Sequence, residues 1–293
     1  MSAPMHSSSP VLEGLRLRAA LEPRRADCDL DLGQNYTAGS LVDAGERHLS
    51  RRQGGQDHAV ALRHRGAVAL AVADGVSRVD GHPSQTEVGA ALVAELAARA
   101  AFDAALRGQS FVEARTHVAT VLVRQLLPLW AVLSPNAGTF LHCTLVLAVT
   151  TPAWTAIWLV GDGAWGASGS LGRGRSPSSP VSPVAIACYG RRWSAHGREH
   201  KPDSPMTVAN LCRGGDVEAV VSGLEVVLEA EGPALSLYVA TDGLQQEPQA
   251  DELLRRDDWR RDQLTAALVR PQDCDDLAIA WAHGRLNSSE GTA

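Results

Sequence analysis

Val68-Ala69-Leu70-Ala71-Val72-Ala73-Asp74-Gly75-Val76 is a run of small and branched apolar residues that stops abruptly at an acid and a glycine. A buried strand reads in this way, and Asp-Gly reads as the turn at its end. The same shape returns as Trp158-Leu159-Val160-Gly161-Asp162-Gly163 and as Leu235-Ser236-Leu237-Tyr238-Val239-Ala240-Thr241-Asp242-Gly243. Three strand-like runs therefore each end in a carboxylate followed by glycine. Where such ends converge, acids collect at one edge of a core. The cluster stays ionised only when something neutralises it, and divalent cations are the usual solution.

The chain around these runs has 293 residues, 45% hydrophobic and 20% charged, enough for one large domain or two small ones with a sizeable core. The net charge of -6, from 33 acids and 27 bases, and the lack of a long basic run argue against a nucleic-acid partner. Cys28, Cys143, Cys188, Cys212 and Cys274 are scattered, odd in number and never paired as CxxC. Neither a disulfide framework nor a zinc site is expected, which suits a reducing cytosol. No window of about 18 uninterrupted apolar residues marks a membrane span. Met1 to Pro10 is rich in Ser and Pro and has no apolar signal core. A cytoplasmic protein is the expectation.

Taken in order, residues 1–30 read as a loosely ordered extension with one short helix over Val11–Leu21. Residues 31–284 read as the domain and 285–293 as a flexible tail. A first strand and turn fall within 35–50. The glycine-broken polar loop Arg51-Arg52-Gln53-Gly54-Gly55-Gln56-Asp57-His58 leads into a second strand, and His64-Arg65-Gly66 turns the chain into the run above. Ser84 or Thr86 is expected to cap a helix from Glu87 to Arg107, with Val88, Leu92, Leu96 and Ala100 as its core stripe. A second helix, Phe111–Leu133, offers Val118, Val121, Leu122, Leu126 and Trp130 to the core, and Pro128 is expected to kink or shorten it. Strands are expected over Thr139–Thr150, Trp154–Gly161 and Ala164–Ser168. Residues 169–216 read as a flap or insertion containing a strand over Val184–Cys188, and Val217–Val227 as a strand or short helix. Helices over Asp251–Arg256 and Asp258–Arg270 precede a last strand after Asp273-Cys274-Asp275-Asp276. Strands in groups, then helices, predict an α+β fold with largely antiparallel sheets.

Five acids stand at strand edges: Asp57, Asp74, Asp162, Asp242 and Asp275. Any one alone is more often an ordinary turn residue. Their order and flanks carry more. Arg52-x-x-Gly55-Gln56-Asp57 is followed by Val72-Ala73-Asp74-Gly75, Cys143-Thr144-Leu145-Val146-Leu147-Ala148 and Val160-Gly161-Asp162-Gly163. Ala240-Thr241-Asp242-Gly243-Leu244 and Asp275-Asp276-Leu277-Ala278-Ile279 complete the series. This series resembles the metal-dependent protein phosphatases of type 2C, the PPM family, over roughly residues 35–283. Ser84-Gln85-Thr86-Glu87-Val88-Gly89 is similar to the helix start of a compact bacterial branch of that family.

The resemblance implies two mostly antiparallel β-sheets packed as a sandwich, with helices on both outer faces and a cleft lined by acids at one end. It implies that Asp74, Asp242 and Asp275 ligate one Mn2+ or Mg2+, and that Asp74 bridges to a second ion also touched by the Gly75 carbonyl. Asp57 and Gln56 would act through water, Asp162 at a third, weaker ion, and Arg52 on the phosphoryl oxygens. The implied catalytic residues are Asp74, Asp57 and Arg52. Hard carboxylate oxygens suit these ions, and a planar guanidinium suits phosphate. Two ions about 4 Å apart acidify a bridging water that attacks phosphorus directly. Relatives place Asn where this chain has Gly55. Some place a histidine where it has Val76, and an acid where it has Gln246; His58 and His82 read as surface residues. The implied activity is hydrolysis of phosphoserine and phosphothreonine in a protein substrate phosphorylated by a Ser/Thr kinase, with substrate choice set by 170–216. The alternatives are a catalytically weak pseudophosphatase acting as a binding module, and a phosphatase of a non-protein phosphoester.

Overall fold

The computed structural model describes residues 25–30, 36–45, 48, 55–76, 86–133, 140–169, 171, 186–192, 207–246 and 275–284, the side chains of 25–30, 186–192, 245 and 246 excepted. Eleven described strands form two sheets. The first contains β1 (Arg25–Leu30), β2 (Tyr36–Asp43), β7 (Gly163–Gly169), β8 (Ile186–Arg192), β10 (Ala234–Ala240) and β11 (Leu277–Gly284), in the order β1-β2-β11-β10-β7-β8. The second contains β3 (His58–His64), β4 (Ala67–Ala73), β5 (Leu145–Thr150), β6 (Trp154–Val160) and β9 (Glu225–Glu231), in the order β3-β4-β5-β6-β9. Every pairing within them is antiparallel.

β4 is buried along its whole length, as its unbroken apolar run requires. Val68, Leu70 and Val72 point into the space between the sheets, where they meet Val146, Ala148, Ile157 and Leu159 of the same sheet and Leu237, Val239, Ala278 and Ala280 of the other. Ala69, Ala71 and Ala73 point the other way, into a second core shared with helices. Those helices are α1 (Glu87–Leu106), α2 (Phe111–Leu133), α3 (Val208–Cys212) and α4 (Val217–Gly223). The outer face of the first sheet is also buried, through Leu41, Tyr238, Ile279 and Trp281. The helices expected over Asp251–Arg270 lie outside the described residues.

Several expectations are corrected. The buried face of α1 is made of Ala90, Val93, Ala94, Ala97, Ala98 and Ala101, whereas Val88 is 52% exposed and Leu92 and Leu96 pack only at the margin. An alanine-rich helix wedged between a sheet and a second helix presents its smallest side chains where the backbones come nearest. Thr86 stands at the start of α1, but its hydroxyl does not cap the helix. It donates to the Val76 carbonyl at 3.3 Å instead. Pro128 leaves α2 intact to Leu133. By length and composition α2 is apolar enough to cross a membrane. Here its Val118, Leu122 and Leu126 are buried in the core.

Residues 25–30 pair along β2 rather than standing outside the domain. The strand expected from Thr139 begins at Leu145, preceded by one bridge between Gly75 and Cys143. Within 169–216, β8 extends a sheet and α3 joins the helical layer, with Thr207 capping it. Val217–Val227 divides into α4 and the start of β9. The extension before residue 25 and the tail after 284 lie outside the described residues.

The tight face of α1 sets a stability test. Ala97→Leu is expected to cost about 1–3 kcal/mol through overpacking, and Val88→Leu to stay within about 0.5 kcal/mol. Urea denaturation of the metal-free chain measures both.

Candidate metal centre

Strand register delivers the acids to one end of both sheets. His58 pairs with Ala73, so the next pair outward is Asp57 and Asp74. Ala164 pairs with Ala240, and continuing that ladder brings Asp162 level with Asp242. Ala240 pairs with Ile279, so the Asp242-Gly243 turn meets the start of β11 at Asp275 and Asp276. None of these placements depends on a long loop; each acid lies one or two residues beyond a paired strand end.

Backbone bonds continue past the strands and fix these ends. The Asp74 amide donates to Thr144 Oγ1 at 3.2 Å, and the Thr144 amide donates to the Asp74 carbonyl at 2.9 Å. The Gly75 amide donates to the Gln56 carbonyl at 3.2 Å, so the turn after β4 and the turn before β3 are tied. A Cβ at Gly75 would lie 2.7 Å from Thr86 Oγ1 and 2.8 Å from the Gln56 carbonyl oxygen. A Cβ at Gly243 would lie 1.7 Å from the Asp276 carbonyl oxygen. Both Asp-Gly pairs are thus places where a second backbone passes too close for any side chain.

The electrostatics are those of forced like-charge contact. Asp57 and Asp74 face each other at paired strand ends, each acting on the other's carboxyl. Burial pushes the Asp74 carboxyl well above the usual carboxylate range, and the charges of Asp57, Asp242 and Asp162 push it further. Burial likewise raises Asp57, helped by the charges of Asp276 and Asp242 and opposed by a hydrogen bond donated by Thr241 Oγ1 at 2.5 Å. Two carboxylates about 4 Å apart repel by about 4 kcal/mol at an effective dielectric of about 20. Without a counter-charge the pair holds a proton between them.

Among the predicted site residues, the structure brings Asp57, Asp162 and Asp242 within electrostatic reach of Asp74, and Asp242 within reach of Asp57. Asp275 is half-buried at the start of β11, and its Oδ1 accepts the Asp276 amide at 3.0 Å. Gln56 is buried, and its backbone binds both Gly75 and Asp276. Arg52 and His82 lie outside the described residues. His58, expected at the surface, is half-buried: burial lowers its pKa, while the charge of Glu95 on α1 acts the other way. Three further residues of the site were not singled out from the sequence, although Thr241 and Asp276 stand within the quoted motifs. Thr241 steadies Asp57. Asp276 is buried and binds the segment before β3. His48 groups with Asp275 and Asp276, their ligand atoms lying within 4.8 Å of one another.

The donor set fits a hard divalent cation. It consists of carboxylate oxygens and backbone carbonyls, and the cost of crowding them is relieved only by positive charge. Among the described residues the Cys143 thiol, which feels the charge of Asp74, is fully buried and shifted strongly upward by burial and by that charge, which disfavours a thiolate there.

An α+β sandwich of two antiparallel sheets, with acids from both converging at one end, defines a metal-centre class of protein. The protein phosphatase 2C family profile matches residues 44–275, and the chain belongs to that family. No curated protein matches it by sequence. Among solved structures it is similar to PppA of Pseudomonas aeruginosa, described as a key regulatory component of T6SS, at 15% identity and TM-score 0.54 over 86% of this chain and 99% of that one. It is similar to a bacterial serine phosphatase at 16% identity and TM-score 0.54, over 85% and 99% of the two chains. It is similar to serine-threonine phosphatase 2C from Toxoplasma gondii at 13% identity and TM-score 0.54, over 90% and 100%. At these identities the likeness establishes the fold.

A sign follows from the raised carboxyls. With no metal present, the folded chain binds protons that the unfolded chain has already lost. The Asp57–Asp74 contribution to stability is therefore fully present below the ordinary carboxylate pKa of about 4 and lost as pH rises through the raised values. At pH 7.5 in EDTA, Asp74→Asn is expected to raise Tm by several degrees over wild type. Adding 1 mM Mn2+, roughly a saturating excess, is expected to raise the wild-type Tm and leave the variant unmoved. Differential scanning fluorimetry reads both shifts.

Proposed function

We propose that the chain is a metal-dependent phosphatase that hydrolyses phosphoserine and phosphothreonine in a protein substrate. One observation carries the reading: buried Asp57 stands beside half-buried Asp74 at paired strand ends, with the charge of Asp242 on both and that of Asp162 on Asp74, a crowding of acids that bound cations would relieve. In this reading Asp74, Asp242, Asp275 and the Gly75 carbonyl hold two Mn2+ or Mg2+ ions. Asp57 and Gln56 act through water, and Asp162 faces a third, weaker site. When bound, the ions supply the positive charge that acidifies water and offsets charge on the phosphoryl oxygens.

The chain's own residues supply the rest. Asp74 is fixed by its backbone to Thr144, and Asp57 by its side chain to Thr241, so neither carboxylate reorganises as charge develops. Arg52 would bind the phosphoryl oxygens through its planar fork. In this reading water is the attacking group and displacement is direct, without a phospho-enzyme, and the Cys143 thiol, held protonated by burial, takes no part. A phosphoprotein substrate implies a Ser/Thr kinase that makes it, and the scattered unpaired cysteines favour the cytoplasm as the place.

The test is hydrolysis of a phosphothreonine peptide and of a generic phosphate ester in Mn2+. Wild type is expected to turn over both, EDTA to stop it reversibly, and Asp74→Asn to lower kcat by about a thousandfold or more, the scale of losing a main electrostatic group. Arg52→Ala is expected to act chiefly on KM. Bound Mn2+ with no turnover would favour a pseudophosphatase, and ester hydrolysis without peptide hydrolysis a non-protein substrate.

A further inference from the structure

Asp276 is buried, yet it is not among the expected metal ligands. Its carboxylate is occupied by donors from one segment of chain. The Gly45 amide donates to Oδ1 at 2.7 Å, and the Gln56 amide donates to Oδ2 at 2.5 Å. Nδ1 of His48 lies 2.9 Å from Oδ2, an off-axis polar contact with both side chains buried, at 9% and 2% exposure. A Cβ at Gly55 would lie 3.3 Å from Oδ1, so the backbone there passes close to the carboxylate. On its other side Asp276 donates its amide to Asp275 Oδ1, and its carbonyl seals the Asp242-Gly243 turn. One buried residue thus links the stretch that ends in Gln56 and Asp57, the turn that carries Asp242, and Asp275. Glu87, in the first turn of α1, lies within reach of both His48 and Asp276.

Among the described residues between Gly45 and Gln56, His48 is the side chain that reaches into this junction. The two amide donors come from the ends of that stretch, at Gly45 and Gln56. A buried carboxylate left with those two alone would draw in water or turn towards it.

We propose that His48 is a positioning residue: held against Oδ2 of Asp276, it keeps that carboxylate on the Gly45 and Gln56 amides at the start of β11 and thereby sets Asp57 and Asp275 in the arrangement that binds the metal ions. The proposal rests on the reading of the acid cluster as a Mn2+ or Mg2+ centre. It differs from a role for His48 as a ligand, because the Asp276 oxygens already face protein donors. Residues of this kind behind a metal ligand typically alter metal affinity by about 10–100-fold when removed.

The experiment is a Mn2+ titration of the full chain, followed by electron paramagnetic resonance, for wild type, His48→Ala, His48→Asn and His48→Gln. Asn places an amide nitrogen where Nδ1 stands, and Gln places it where Nε2 stands. His48→Ala and His48→Gln are expected to weaken Mn2+ binding by about 10–100-fold at unchanged stoichiometry, with His48→Asn within about threefold of wild type. In the metal-free chain the Gln56 amide is expected to exchange with solvent at least about tenfold faster in His48→Ala than in wild type, because its acceptor is no longer held. Unchanged affinity in His48→Ala, or equal losses in His48→Asn and His48→Gln, would overturn the proposal. Loss of one bound ion with the others unaffected would also overturn it and make His48 a ligand. If wild type itself binds no Mn2+, the metal-centre reading fails, and unchanged Gln56 exchange would then still count against His48 holding Asp276.

Discussion

Crowded like charge is the constraint on which this molecule turns. Asp57 and Asp74 are drawn together by strand register, and neither can move away without breaking a ladder or a turn. A carboxylate pair in that position opposes folding in the absence of a counter-ion, and the repulsion is of the same order as the net stability of many domains. A fold retains such a feature when the opposing energy is returned by something that binds there. The two sheets provide a rigid frame for it, because the core between them is filled by side chains from both. Spreading the acids would mean separating the sheets.

The frame is economical in how it places the acids. Asp74 follows β4, Asp57 precedes β3, Asp162 precedes β7, Asp242 follows β10, and Asp275 and Asp276 precede β11. Each is one or two residues outside a paired strand, where the backbone is still fixed but the side chain is free of the ladder. The glycine after Asp74 and the glycine after Asp242 allow a neighbouring backbone to close over the turn. Positional accuracy therefore comes from β-pairing, and polar contacts such as Thr241 to Asp57 and Gly45 to Asp276 refine it. This division explains why a fold can be kept at 13–16% identity to solved relatives. Pairing tolerates almost any apolar residue, while the acids sit where pairing ends.

Much of this was legible in the sequence, because continuous apolar runs ending in Asp-Gly carry both the strand and the site. The runs before Asp74, Asp162 and Asp242 and the run after Asp275 became β4, β6, β10 and β11. The face of α1 was not legible. Alanine surrounds the helix, so the large residues Val88, Leu92 and Leu96 suggested the wrong stripe, and proximity to the sheet selected the small ones. Glu225–Glu231 escaped because an edge strand with three glutamates has little apolar pattern to show. Thr86 looked like a cap, but tertiary contact with the Val76 carbonyl claimed its hydroxyl. Asp276 and His48 were hidden for a different reason. What makes Asp276 a junction is the backbone amides of Gly45 and Gln56, and backbone donors leave no signature in residue type.

The most direct measurement of the central claim is anomalous diffraction at the manganese edge from crystals of the full chain grown in Mn2+. The account predicts two strong peaks at the strand ends, one of them shared between the Asp74 carboxylate and the Gly75 carbonyl, with Asp242 and Asp275 completing the set. No peak among these residues, or a single peak held by His48, Asp275 and Asp276 apart from Asp74, would contradict it.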